Sequence, residues 1–234
     1  MKKILTITCF LLLVFLAKTS NAQYKSIILG FKAAPTVSWI KPESEGYKST
    51  GAKIGFSWGL TSEFFIMENY SIQTGFNVAF QYGGLKYADR IYRDANNFED
   101  GMLTRDYKFQ YIQIPICLKM RTRSFNGFKF YGKIGLGTAI RIKAKADDQF
   151  VGSVTGQHDK EKNKDITNQT KLLKESLILG AGAEYNLGGS TSLIFGINFD
   201  NGFTDILKDQ NKVNPDIDNK AIANYLEFNI GLTF

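Results

Sequence analysis

The chain has 234 residues, 44% hydrophobic and 14% aromatic, with 29 Lys and Arg against 22 Asp and Glu and a formal net charge of +7. That mild basic balance is not a nucleic-acid footprint. Two cysteines, one of them inside an apolar leader, exclude a disulfide framework, and a single histidine leaves little for a zinc site or a His-activated nucleophile.

Residues 1–22, MKKILTITCFLLLVFLAKTSNA, have the layout of a secretory signal peptide. Lys2 and Lys3 precede an apolar run from Ile4 to Ala17, and Ser20-Asn21-Ala22 forms a small-residue cleavage site before Gln23. The run is too short for a spanning helix, which needs about 20 residues. Cys9 lies within the run rather than after it, which argues against a lipid anchor. The expected mature domain is 23–234, with Cys117 as its one thiol and no segment resembling a membrane helix.

From there the chain alternates. In LGFKAAPTVSW, Leu29, Phe31, Ala33, Val37 and Trp39 oppose Gly30, Lys32, Ala34, Thr36 and Ser38. The second segment sets Ala52, Ile54, Phe56, Trp58 and Leu60 against Lys53, Gly55, Ser57, Gly59, Thr61 and Glu63. The third, from Tyr70 to Tyr82, sets Ile72, Phe76, Val78 and Phe80 against Ser71, Gln73, Asn77 and Gln81. Successive side chains of a strand point to opposite faces, so each segment reads as a strand with one apolar and one polar face. A fourth strand is expected over about 107–120, a fifth over 128–145, a sixth over 176–186, a seventh over 191–200 and an eighth over 225–234. In the fourth, Tyr107, Phe109 and Tyr111 are out of phase with Ile112, Ile114 and Ile116. A bulge near Tyr111–Ile112 would reconcile them, or the upper part stands clear of the membrane. In the fifth, Phe128, Phe130, Ile134, Leu136, Ile140 and Ile142 oppose Lys129, Tyr131, Lys133, Arg141 and Lys143.

Short turns are expected near 67–69, 124–127 and 187–190, and long polar loops over 40–50, 83–106, 146–175 and 201–220. That asymmetry, and aromatics at both ends of the apolar face, predicts an all-β fold: an eight-stranded antiparallel up-and-down transmembrane β-barrel with a polar, side-chain-filled interior, both termini periplasmic. The charges Lys53, Glu63, Lys119, Lys133, Arg141, Glu184, Asp200 and Glu227 all fall on the polar face and read as a packed ionic core rather than a conduction path. An uncharged apolar face is what lipid demands, since a charge at mid-membrane costs about 2–4 kcal/mol. The chain ends on Phe228, Ile230, Leu232 and Phe234, an alternating apolar strand closed by an aromatic, like the terminal signal read by barrel assembly machinery.

Catalytic, cofactor-binding and metal residues are expected to be none, with no cofactor. His158 sits in the charge-balanced GQHDKEKNKD and reads as a solvated loop residue, while Cys117 reads as a small interior packing residue. Tyr87, Tyr92 and Phe98 give the 83–106 loop some adhesive potential, although loop aromatics more often pack on one another.

The run YIQIPICLKMRT, Tyr111 to Thr122, resembles the Tyr-Leu-Glu-Ile-Pro-Leu-x-x-Lys strand of the PorT-family outer-membrane barrels. GFKAAPTVSW resembles the first strand of that family and FYGKIGLGTAI its fifth, with Gln113 where Glu is expected and Ala34 where Gly is expected. The resemblance implies an outer-membrane protein of a Gram-negative envelope, associated with type IX protein secretion, and the lone loop histidine His158 argues against an enzyme. Its implied partners are outer-membrane lipid and lipopolysaccharide, the barrel assembly machinery and secretion-system subunits, not nucleic acid. The other reading is a stand-alone surface barrel whose loops bind ligands or stabilise the envelope.

Overall fold

In the computed structural model, which describes residues 27–94 and 97–234, the chain is almost entirely strand. The expected signal peptide, residues 1–22, lies outside the described residues. The strands are β1 (Ile27–Pro42), β2 (Lys48–Ser49), β3 (Lys53–Met67), β4 (Tyr70–Asp94), β5 (Asn97–Arg121), β6 (Phe128–Gly152), β7 (His158–Asp165), β8 (Leu173–Gly188), β9 (Thr191–Gly202) and β10 (Ala221–Thr233). Eight of them close a barrel in the order β1-β3-β4-β5-β6-β8-β9-β10, every pairing antiparallel, with β10 returning to β1. Closure leaves the wall without an unpaired edge. β2 adds to β4, and β7 to the upper part of β6.

Local chemistry explains the tight end of the barrel. Asn126 (φ 48°) and Gly127 (φ 82°) both occupy the left-handed region, with Phe125 and Phe128 exchanging backbone hydrogen bonds of 2.8 and 2.9 Å across them. This two-residue Asn-Gly connection matches the twist of the strands it joins. The neighbouring turns, after Met67 and after Gly188, are equally short.

The outward face is apolar over a continuous belt. Ile54 is 80% exposed and Ile116 61% exposed, and Phe31, Leu60, Leu136, Ile197 and Phe228 project beside them. Burying such a side chain is worth about 1.5–3 kcal/mol, so a whole belt of them outside requires an apolar solvent. No helix among the described residues is long and apolar enough to cross a membrane; the strands do so. At the belt's upper margin Glu175 accepts a 2.8 Å hydrogen bond from Thr138 Oγ1. Trp39 stacks with Phe199 on the same wall, and Phe128 packs against Tyr185 beside the tight turns.

Two sequence expectations fail in instructive ways. First, 83–106 is not a loop. β4 and β5 stay paired out to Asp94 and Asn97, and β6 continues into the supposed 146–175 loop as far as Gly152, with β7 pairing back onto it. At about 3.3 Å per residue, the 25 residues of β4 run roughly 80 Å along the strand, far more than a tilted crossing of a band about 25 Å tall requires. The excess of β4, β5 and β6, with β2 and β7, forms a sheet that stands above the belt as a cap. Alternation persists there, but its outer face is wet and its inner face mixed, so it does not look like barrel wall.

Second, β5 has no bulge. Tyr107, Phe109 and Tyr111 point inward in the same phase as Gln113, Cys117 and Lys119. The irregularity lies on its neighbour: Gln110 pairs with Lys143 and Tyr111 with Arg141, so Ile142 is the extra residue. Lys143 accordingly faces out, not in, and Ala144 and Ala146 turn inward beside Phe109 and Tyr107. The interior thereby divides into a polar lower part and an apolar upper plug of Leu85, Tyr107, Phe109, Tyr111, Phe150 and Ile206.

Candidate functional site: the barrel interior and the cap

Parity places the interior charges. Near the tight turns, Glu63 of β3, Lys119 and Arg121 of β5 and Glu184 of β8 meet as two acids and two bases. Lys119 Nζ donates to Glu63 Oε1 at 2.6 Å and to Glu184 Oε1 at 2.5 Å. Arg121 bonds both carboxylates, with its Nε 3.0 Å from Glu184 Oε2. The Tyr131 ring lies 4.3 Å from the Lys119 ammonium. Gly196 makes room for Tyr131: a Cβ there would come within 2.2 Å of its hydroxyl.

One layer up, Lys32 Nζ donates to Glu227 Oε1 at 2.5 Å, and Ser57 and Asn198 add bonds of 2.8 and 2.6 Å to the same carboxylate. Higher still, Asp200 receives Lys174 Nζ at 2.7 Å, Gln113 Nε2 at 2.6 Å and Ser176 Oγ at 2.8 Å. Each buried carboxylate here is met by an opposite charge and by neutral donors, the condition under which a charge can leave water. Free Cys117 is buried among these groups.

Three of the eight expected charges stand apart from this arrangement. Lys53 opens β3 at the rim, a third exposed, and pairs with Asp106 at 2.6 Å. Lys133 donates to Gln73 Oε1 at 3.0 Å rather than to a carboxylate. Arg141 is buried and bonds the Thr167 carbonyl at 2.8 Å, with its Nε unbonded. Conversely Lys32, Arg121 and Lys174 carry ion pairs that the expected set lacks. Lys32 was readable, since it sits on the polar face of the first alternating segment; Arg121 and Lys174 fall just beyond the segment ends.

In the cap, Arg105 of β5 holds Asp148 of β6 through two bonds of 2.6 Å and donates a third to Gln169. Tyr47 and Tyr87 stack with centroids 4.3 Å apart. These residues, with Asp89, Tyr107 and Asn211, line a cavity of about 130 Å³ beneath the 207–212 segment. Tyr92 and Phe98 pack against each other on the hairpin's outer face, with Arg90 over Phe98 at 4.3 Å. His158 is exposed as the first residue of the charged edge strand β7.

The tip of the cap is pinned by Glu99. Its Oε1 accepts Thr155 Oγ1 at 2.6 Å and Thr155 N at 3.0 Å, and its Oε2 accepts Arg93 Nη2 at 3.0 Å. The Thr155 hydroxyl, then the Thr155 amide and Arg93, hold this carboxyl down at about 2. A folded pKa below the unfolded one stabilises at pH above the ordinary carboxylate range, and that contribution fades as pH falls through about 2. The pin therefore persists through mild acid. Thr155→Val should raise the Glu99 pKa toward the ordinary range in a carboxyl NMR titration; an unchanged midpoint would count against the Thr155 hydroxyl as its cause.

A closed eight-stranded wall with an apolar outside and an ion-paired, filled inside defines a small transmembrane β-barrel of the outer membrane. The model of the family described as outer membrane protein beta-barrel domain matches residues 21–208, and the chain belongs to that family. Similar solved structures include OprG from Pseudomonas aeruginosa, 14% identical with a TM-score of 0.47, covering 89% of this chain and 96% of that one. Neisserial surface protein A is 12% identical with a TM-score of 0.45 over the same shares. The outer membrane protease OmpT from Escherichia coli is 10% identical with a TM-score of 0.36, covering 93% of this chain and 99% of that one. The chain matches no curated protein sequence.

Proposed function

We propose that this protein is a non-enzymatic outer-membrane barrel whose cap is an extracellular binding and envelope-stabilising platform, with both termini in the periplasm. The observation that carries this reading is the contrast between the two ends. The bore is filled by ion pairs and the Tyr107–Phe109–Tyr111 stack, whereas β4, β5 and β6 continue well beyond the belt as an ordered sheet with a cavity on its inner side. A filled bore suits anchoring, and a rigid sheet held above the bilayer suits contact with something outside it. Lipopolysaccharide is the natural neighbour of the outward Lys86, Lys143 and Lys145 just above the belt. Phe228, Ile230, Leu232 and Phe234, outward on or just past β10, serve as the signal for the barrel assembly machinery.

A second reading follows from the YIQIPICLKMRT strand: a component of the PorT family supporting type IX secretion, in contact with other secretion-system subunits. It is favoured by the position of that strand, whose Gln113 and Lys119 each bond two or more interior partners from other strands.

Protease added to intact cells should cut within the cap and spare the tight turns, and truncation before Phe234 should reduce the heat-modifiable barrel on gels. Cleavage confined to the turn end would overturn the orientation. Deleting the gene and quantifying secreted proteins separates the two readings. Unchanged secretion supports the platform, and loss of a whole class of secreted proteins supports the secretion component.

A further inference from the structure

Among the described residues, seven acidic side chains are buried, and six of them are well held. Glu63, Glu99, Asp148, Glu184, Asp200 and Glu227 each accept at least two hydrogen bonds. Asp89 is the exception. It is 6% exposed, yet no donor reaches it in hydrogen-bonding geometry. Its nearest cation is Lys212 Nζ at 3.5 Å, on a side chain half in solvent whose ammonium also leans on the Arg90 carbonyl at 3.4 Å. Its oxygens still reach solvent through the cavity that Asp89 lines, and a carboxylate held so loosely there is open to a better donor.

The surroundings say what is missing. Asp89 lines the cavity of about 130 Å³ with the stacked Tyr47 and Tyr87, and a second cavity of about 180 Å³ shares Asp89, Arg105, Gln169 and Lys212 with it. The exposed loop residues Lys208 and Lys212 are part of the wall of the first. Of the other cations in the cavity wall, Arg105 is saturated by Asp148 and Gln169 and has no fork left for an anion, and the exposed Lys208 is offset by its neighbour Asp209. The free valence is negative and lies beside aromatic rings. A compact cation with several N–H donors meets both, through the carboxylate and the ring faces. Lys212 already supplies such a head group at the rim, loosely, from the chain itself.

We propose that the Asp89 cavity binds a small molecule bearing a primary ammonium group, with Lys212 as the tethered occupant that it displaces. This deepens the reading of the cap as a binding platform. Isothermal titration of the folded full chain in detergent micelles with cadaverine tests it, with 1,5-pentanediol and Ca²⁺ as comparison probes. Cadaverine should bind saturably and pentanediol should not. Asp89→Asn should weaken cadaverine at least tenfold, while Lys212→Ala should strengthen it about threefold to fivefold, the scale of a half-exposed ion pair.

The opposite signs of the two variants are the signature. Binding of pentanediol equal to that of cadaverine, an affinity for Ca²⁺ exceeding that for cadaverine, or Asp89→Asn without effect overturns the assignment. Should Asp89→Asn fail to give a heat-modifiable barrel, Lys212→Ala decides alone, and an unchanged or weaker affinity overturns it. Micelle binding is indifferent to which side of the membrane the cap occupies, whereas protease digestion of intact cells reports only that side. The two proposals therefore fail separately.

Discussion

Lys119→Met should lower the unfolding free energy of the barrel by about 3–5 kcal/mol, the cost of leaving a buried charge without its partner. Lys119 is fully buried and is the one group that touches Glu63 and Glu184 through a single ammonium. Without it two carboxylates share one guanidinium, that of Arg121, and the local charge falls by one. Adding Glu184→Gln restores neutrality, with Glu63 and Arg121 still paired, and should recover part of the loss. Urea unfolding of wild type, single and double variants in one lipid system measures both effects. A double variant less stable than Lys119→Met would show that charge balance is not what the four residues provide.

The second large effect is on the other face. Ile116 lies at the middle of the belt on β5, opposite Leu136 of β6, and both are largely exposed on the wall. Ile116→Arg should cost about 2–4 kcal/mol in a bilayer, whereas Gln110→Arg, on the same face above the belt, should cost close to 0–1 kcal/mol. Equal costs at the two positions would place the bilayer elsewhere on the wall. The contrast also separates lipid exposure from strand disruption, because both positions are paired in the same ladder.

These two experiments probe what was and was not legible in the chain. Wall strands could be read because period-two alternation is strict wherever one side meets lipid. Leu226, Phe228 and Ile230 against Glu227 and Asn229 admit one orientation, and the same parity puts Glu63, Lys119, Glu184, Asp200 and Glu227 inside. Above the belt that constraint lapses. Outward positions such as Lys86, Lys108 and Gln149 become polar, inward ones such as Asp89, Arg105 and Asp148 stay polar, and the strands blend into what looks like loop. The inward direction of Tyr107, Phe109 and Tyr111 was hidden for a related reason: aromatics beside an apolar wall look like more wall. Only the extra residue on β6, invisible in β5's own sequence, shows how small alanines come to face them. Which acid meets which base is likewise a matter of register between strands far apart in sequence, as with Lys32 and Glu227.

The seam that closes the wall pairs Gly30 with Thr233. Almost the whole chain therefore separates the two halves of one contact, and loop-closure entropy must be met before that contact returns anything. Until it forms, β1 and β10 each offer a bare row of backbone donors and acceptors beside an apolar surface, the condition that invites aggregation. The barrel thus cannot be finished piecemeal: the wall stays open until its last strand arrives, so reaching the closed state is a kinetic problem before it is a thermodynamic one.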